Sequence, residues 1–239
     1  MKKKRSRTKP SNPKEHAIVP PTAAATPSPA SPRIPRRQWL YAGGILLGLA
    51  VLFLLANSGF FLKQLAHRFN PPVVSEPEPG ATDPYLLALA GTPNRLRIPS
   101  LGIDAPIVEA AARTQAAYKT ALQQGVVHLP ETAEPGDIGN AYLFGHSSDL
   151  PWAAGDFKNV FALLPEIKRG AKIYASNRDG NAYAFTVGGT RIVRADDLSV
   201  LADPGNEKRM LTLQTSYPVG TALRRFVVTA EYAAEILVK

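Results

Sequence analysis

The stretch Thr212–Glu231, TLQTSYPVGTALRRFVVTAE, decides the fold. An apolar run, Met210–Thr215 (MLTLQT), ends in a hydroxyl pair, Thr215-Ser216. A connection marked by Pro218 and Gly220 follows. A second run, Arg225–Ala230 (RFVVTA), is preceded by Arg224. Short apolar and β-branched runs on either side of a Pro/Gly turn predict two strands.

The same grammar extends outward. Lys172–Ser176 (KIYAS) and Ala182–Val187 (AYAFTV) flank NRDGN, Asn177–Asn181, which predicts a hairpin, and Arg191–Arg194 continues the meander. Ala141–Gly145 (AYLFG) is a short strand after the turn EPGDIGN. Farther upstream, NRLRIPSLGIDAPIVEA gives two extended pieces around a turn at Ser100–Gly102. Helical pattern is confined to Thr114–Gln124 and Val160–Leu164. Many short strands with few helices predict an all-β fold, a closed barrel or a sandwich. There is no internal repeat, no Walker A loop, no G-x-G-x-x-G and no H-E-x-x-H.

Charge is distributed unevenly. The chain has 239 residues and a net charge of +9, yet residues 39–239 hold 18 basic and 18 acidic side chains. The excess lies in residues 1–38, where ten Lys/Arg face one acid, Glu15. A neutral body argues against a basic groove for nucleic acid. With no cysteine in the chain, disulfides, thiolate metal sites and a cysteine nucleophile are excluded. Residues 1–38, rich in Pro, Ser, Thr and Ala, are too poor in large apolar residues to offset ordering entropy and are expected to be a disordered tail. KKKRSR also fits a polynucleotide or nuclear-import signal, but the next segment explains the charge better. Gln38–Leu62 carries no charge. The 24 residues from Trp39 to Leu62 would form a helix of roughly 36 Å, enough to cross a bilayer core. Trp39 and Tyr41 stand at one end, where amphipathic rings favour the headgroups. The run is longer than the apolar part of a signal peptide, and helices of globular proteins rarely run this far without a polar face. By the positive-inside rule the N-terminus is cytoplasmic and the C-terminus outside, with Lys63, His67 and Arg68 opposing weakly. The Pro-rich, acidic NPPVVSEPEPGATD, Asn70–Asp83, is a spacer. The expected organisation is a tail over 1–38, a transmembrane helix over 39–62, a linker over 63–84 and a globular domain over 85–239.

Two histidines lie in the globular part, His128 and His146. His146, in YLFGHSS, directly follows an apolar strand and a Gly, which puts an imidazole at a strand end. A strand-end hydroxyl at Thr215-Ser216, this imidazole and an Arg opening the next strand would supply a nucleophile, an acid/base and an oxyanion stabiliser. A Ser in a turn beside two solvated arginines is the plainer reading of the same residues.

Three motifs in order change that balance. LRIPSLGIDAPIVE, GVVHLPETAEPGDIGNAYLFGHSS and TLQTSYPVGTALRRFVVTAE together resemble the sortases, membrane-anchored cysteine transpeptidases, over Asn94–Glu231. The resemblance implies an eight-stranded β-barrel with short helices. It maps the catalytic His to His146 and the catalytic Arg to Arg225, with Arg224 as the other register. His128 falls where a non-catalytic aromatic or His stands, and Thr215 helps shape the pocket. It implies a substrate with a C-terminal sorting signal of the L-P-x-T-G kind, joined to an amine acceptor, either cell-wall peptide or a pilin lysine. No cofactor or metal is implied, although some relatives use calcium. The family nucleophile is Cys, and here Ser216 stands in its place. Three readings follow: Ser216 is a weak nucleophile, the domain binds sorting peptides or acts as a scaffold without turnover, or the chain is an inactivated form of a Cys enzyme.

The charge pattern yields the first prediction. Protease added to intact, wall-stripped cells is expected to digest the C-terminal domain and to spare residues 1–38. Survival of the C-terminal domain would reverse the topology.

Overall fold

A computed structural model describes residues 35–74, 81–205 and 207–238. The basic tail expected over 1–38 lies outside them, apart from its last residues. Helix α1 spans Arg36–Ala56, and its segment Arg37–Ala56 is long and apolar enough to cross a membrane. It stops at Asn57, short of the expected boundary at Leu62. The Asn57 side-chain amide donates to the carbonyl of Phe53 at 2.9 Å. Such back-bonding competes with the helical ladder, and the following Ser58 and Gly59 are weak helix formers. A second helix, α2, then runs Ser58–Phe69. The uncharged run is therefore shared between two helices, and part of the expected linker is helical.

A one-turn helix α3 (Pro84–Leu87) opens the domain, capped by Asp83, whose carboxylate accepts from the amides of Tyr85 and Leu86. Eight strands follow: β1 (Arg95–Ile98), β2 (Ile103–Glu109), β3 (Val126–His128), β4 (Gly139–Phe144), β5 (Lys172–Ser176), β6 (Ala182–Arg194), β7 (Arg209–Tyr217) and β8 (Arg224–Ile236). They close into a barrel in the order β1-β2-β3-β4-β7-β8-β6-β5. The all-β, eight-stranded expectation holds. Gly102 (φ 61°) closes the β1–β2 turn in the left-handed region that suits glycine. Helix α4 (Gln115–Gln124) begins at Thr114, whose side chain accepts from the amide of Ala117. Val160–Leu164, expected to be helical, instead forms successive turns leading into a 3-10 segment at Leu164–Glu166. Pro165 supplies the reason: it removes an amide donor and disfavours helical geometry at the residue before it.

Alternation along the strands builds the core. Leu96 and Ile98 of β1, Ile173 of β5, Phe185 of β6, Leu211 and Leu213 of β7 and Val228 of β8 all point inward with no exposure. Phe161 and Leu164, from the segment after β4, plug the same cluster. Two pairings are parallel, β2 with β3 and β4 with β7. The second brings together strands separated by the whole β5–β6 hairpin.

Truncating the centre of this core tests its weight. Phe185→Ala is expected to destabilise the protein by about 3–5 kcal/mol, measured as a shift in the denaturant midpoint of the tertiary fluorescence signal.

Candidate active site

The parallel ladder of β4 on β7 runs to Phe144 opposite Gln214. One residue further the pairing becomes a clamp. The Gly145 amide donates to the Gln214 carbonyl at 3.1 Å, and the buried Thr215 hydroxyl donates to the Gly145 carbonyl at 2.8 Å. Phe161 then donates its amide to the His146 carbonyl at 2.9 Å. His146 thus leaves the strand with its backbone held on both sides. Gly145 is required by close approach: a Cβ there would lie 2.8 Å from the Phe161 ring and 2.9 Å from Val160.

On the other side, β7 and β8 are antiparallel, with Ser216 directly opposite Arg225 and Tyr217 opposite Arg224. Side chains of directly opposed residues share a face, with Cβ atoms about 4.5–5.5 Å apart. Arg225 therefore accompanies Ser216, and Arg224, exposed, accompanies Tyr217. The Arg225 guanidinium donates from Nη1 to the carbonyls of Ala222 and Arg224, each at 3.1 Å, which anchors it at the mouth of the β7–β8 connection.

His146, Thr215, Ser216 and Arg225 line one cavity of about 520 Å³. The same cavity has an apolar wall built by Tyr118 and Leu122 of α4 with Leu129, Phe144, Leu198 and Leu201. A second cavity, about 510 Å³, shares His146 and Ser216 and is the more polar of the two, with Ser147, Asp149 and Thr221 among its lining residues. The two residues thus stand where an apolar groove meets a polar one. Tyr142 contributes from inside β4. Its hydroxyl donates to the Gln214 side-chain oxygen, two residues before Ser216. Burial pushes the Tyr142 phenol well above its ordinary range, with Arg225 and Arg191 pulling it back, so the hydroxyl stays a donor.

The imidazole of His146 is held below the ordinary histidine pKa, chiefly by burial, while the Asp149 carboxylate pulls it upward. Nε2 of His146 lies 3.9 Å from Asp149 Oδ2. Asp149 was not among the residues picked out by motif. Its signal was local, an acid three positions after the histidine in HSSD. The groove wall had no comparable signal, because Leu129 and the 3-10 segment Leu198–Leu201 come from parts of the chain about seventy residues apart.

His128 goes elsewhere. It is buried on β3, with Nδ1 2.7 Å from Glu109 Oε1 and Nε2 2.9 Å from the Ala133 carbonyl. It lines a separate cavity together with Glu134 and Arg178.

A family model described as the sortase domain matches residues 96–233. Among solved structures, sortase C of Streptococcus pneumoniae is 19% identical with a TM-score of 0.51, covering 75% of this chain and 88% of that one. Sortase C-1 of Actinomyces oris is 24% identical at a TM-score of 0.50, covering 72% and 96%. A lid mutant of Streptococcus agalactiae sortase C1 is 23% identical at 0.50, covering 74% and 85%. At these identities the likeness speaks for the fold. No curated protein matches the sequence.

The electrostatics of His146 are directly measurable. Its ring is expected to titrate below the ordinary value of about 6.5, followed by NMR of the imidazole protons. Asp149→Asn should lower that value further, because it removes the group that favours the imidazolium. An unchanged or higher value in the variant would mean that the two side chains do not interact.

Proposed function

The chain belongs to the sortase family, whose domain matches it from β1 into β8, and from that premise we propose a membrane-anchored transpeptidase or peptidase acting on C-terminal sorting signals. The single observation behind this reading is that His146, just past the end of β4, Ser216 of β7 and Arg225 of β8 line one cavity. The sorting peptide lies in the apolar groove beside Ser216. The neutral His146 ring takes the Ser216 proton as Oγ attacks the scissile carbonyl, and Arg225 donates to the developing oxyanion. His146 then returns the proton to the leaving amine, and the C–N bond breaks to leave an acyl ester on Ser216. An incoming amine, from cell-wall peptide or a pilin lysine, attacks the ester and gives a proton to His146. The proton passes to Ser216 as the new amide forms.

A serine changes what the histidine must do. A thiolate is ionised before attack, and its histidine need only be an acid. A hydroxyl needs a base that is neutral at the start, and the lowered pKa of His146 supports that role at neutral pH. The nearby Asp149 charge then favours the imidazolium formed during attack. The domain is anchored by α1, with its N-terminus in the cytoplasm and the barrel outside. Residues 1–38 form the cytoplasmic tail, and residues 85–239 the catalytic domain. Ser216 also favours a second reading, a sorting-peptide-binding module without turnover, since the family chemistry uses a thiol.

Ser216→Cys separates the two. Cleavage of a labelled sorting peptide is expected to rise at least roughly a hundredfold over a slow wild-type rate, and the gain should vanish on adding His146→Ala or Arg225→Ala, because the site acts as a unit. The wild-type rate should fall as pH drops through the His146 pKa, which protonates the base. A Ser216→Cys protein that binds peptide and stays inert would leave the binding module as the function. Loss with Arg224→Ala but not Arg225→Ala would assign the guanidinium to the neighbouring position.

A further inference from the structure

Helix α2, SGFFLKQLAHRF, is amphipathic in the reverse of the usual sense. At 100° per residue, Phe61, Leu62, Leu65 and Phe69 fall on one stripe, and they are 36%, 66%, 53% and 73% exposed. The opposite stripe faces the barrel. Gly59 lies against Asn159, and Lys63 donates from Nζ to the Asn159 carbonyl at 2.9 Å. Ala66 and His67 line a cavity with Leu101, Phe157 and Leu163. A surface helix of a water-soluble domain turns its apolar stripe to the core. Here the small and polar stripe takes that place, and four large apolar side chains face outward.

We propose that this outward stripe docks on the membrane, so that α2 is an interfacial helix lying on the outer surface of the bilayer. The proposal rests on α1 crossing that membrane, as proposed above. Only Asn57 separates α1 from α2, so α2 starts where the chain leaves the hydrocarbon. Helix α2 contains no acid, and Arg68 lies exposed beside the apolar stripe, the arrangement that suits anionic headgroups. The catalytic cleft shares this location. Phe53, Ala56 and Asn57, from the end of α1, line the polar cavity with His146 and Ser216. The loops following those two residues carry exposed Trp152 (74%) and Leu223 (74%). Docking of α2 therefore holds the mouth of the polar cavity at the membrane surface.

The chain contains no cysteine, so any single Cys substitution can be labelled uniquely in the full-length protein. Spin labels at Leu65→Cys and Phe69→Cys, both exposed positions, are compared with Leu47→Cys in α1 and Asp179→Cys in the β5–β6 turn. The protein is placed in vesicles of phosphatidylcholine and phosphatidylglycerol, and collisions with oxygen and with the water-soluble nickel reagent Ni-EDDA are measured. The expected result is that the labels at 65 and 69 lose nickel collisions relative to 179 and gain oxygen collisions, at a depth shallower than 47. Nickel collisions at 65 and 69 equal to those at 179, with 47 deep, would overturn the docking and leave the anchor intact. A label at 47 that is itself open to nickel would overturn the anchor and the docking together. Protection at 65 and 69 accompanied by spin–spin broadening that unlabelled protein dilutes away would identify a second copy as the occupant and overturn the membrane assignment.

Discussion

The parallel pairing of β4 with β7 is the constraint on which the site depends. Parallel neighbours cannot be joined by a tight turn, and here the intervening chain supplies β5, β6 and the segment that carries Phe161. That detour returns to close the barrel and to pin His146 from behind through the Phe161 amide. The ladder fixes the end of β4 against β7 at the point where Ser216 emerges. The buried bond from Thr215 to Gly145 extends the fixation one residue beyond regular pairing. In a low-dielectric interior the loss of such a partner would strand a carbonyl, and this makes the geometry stiff. The histidine and the hydroxyl are thus brought together by backbone, with no need for a direct side-chain bond between them in the resting site.

Arg225 is placed by a different rule. Antiparallel register puts it across from Ser216, while its neighbour Arg224 shares the face of Tyr217. A one-residue slip of β8 would exchange the two arginines and turn Phe226 and Val228 out of the core, where they are buried. The burial of those side chains therefore selects which guanidinium reaches the cavity, and core packing and the placement of Arg225 are the same choice.

Around the site the electrostatics are graded. His146 is depressed by burial and partly restored by Asp149, and Tyr142 is kept protonated beside Gln214. The apolar wall on one side and the more polar cavity on the other give the site two surfaces of different character. The helices before the barrel share this polarity, since the end of α1 borders the polar cavity.

What the sequence determined by itself was local. The strand pair around Pro218 and Gly220, the NRDGN hairpin, the Gly102 turn and the helical pattern over Thr114–Gln124 were legible because turn chemistry and short-range periodicity need no distant partner. The apolar run of α1 was legible for the same reason, and the family motifs pointed to His146, Ser216 and Arg225. Tertiary structure decided the rest. The end of α1 at Asn57 depends on a back-bonded side chain and a packed environment, and no hydropathy pattern records that. The parallel contact of β4 with β7 joins residues about seventy positions apart, such as Ala141 and Leu211, and neither strand carries a mark of its partner. The sequence separates His128 from His146 only through the resemblance. Only the fold shows one ring buried against Glu109 and Ala133 and the other facing a cavity. The physical reason is that a side chain's chemistry is set by what surrounds it, and those surroundings are assembled from segments the sequence keeps far apart.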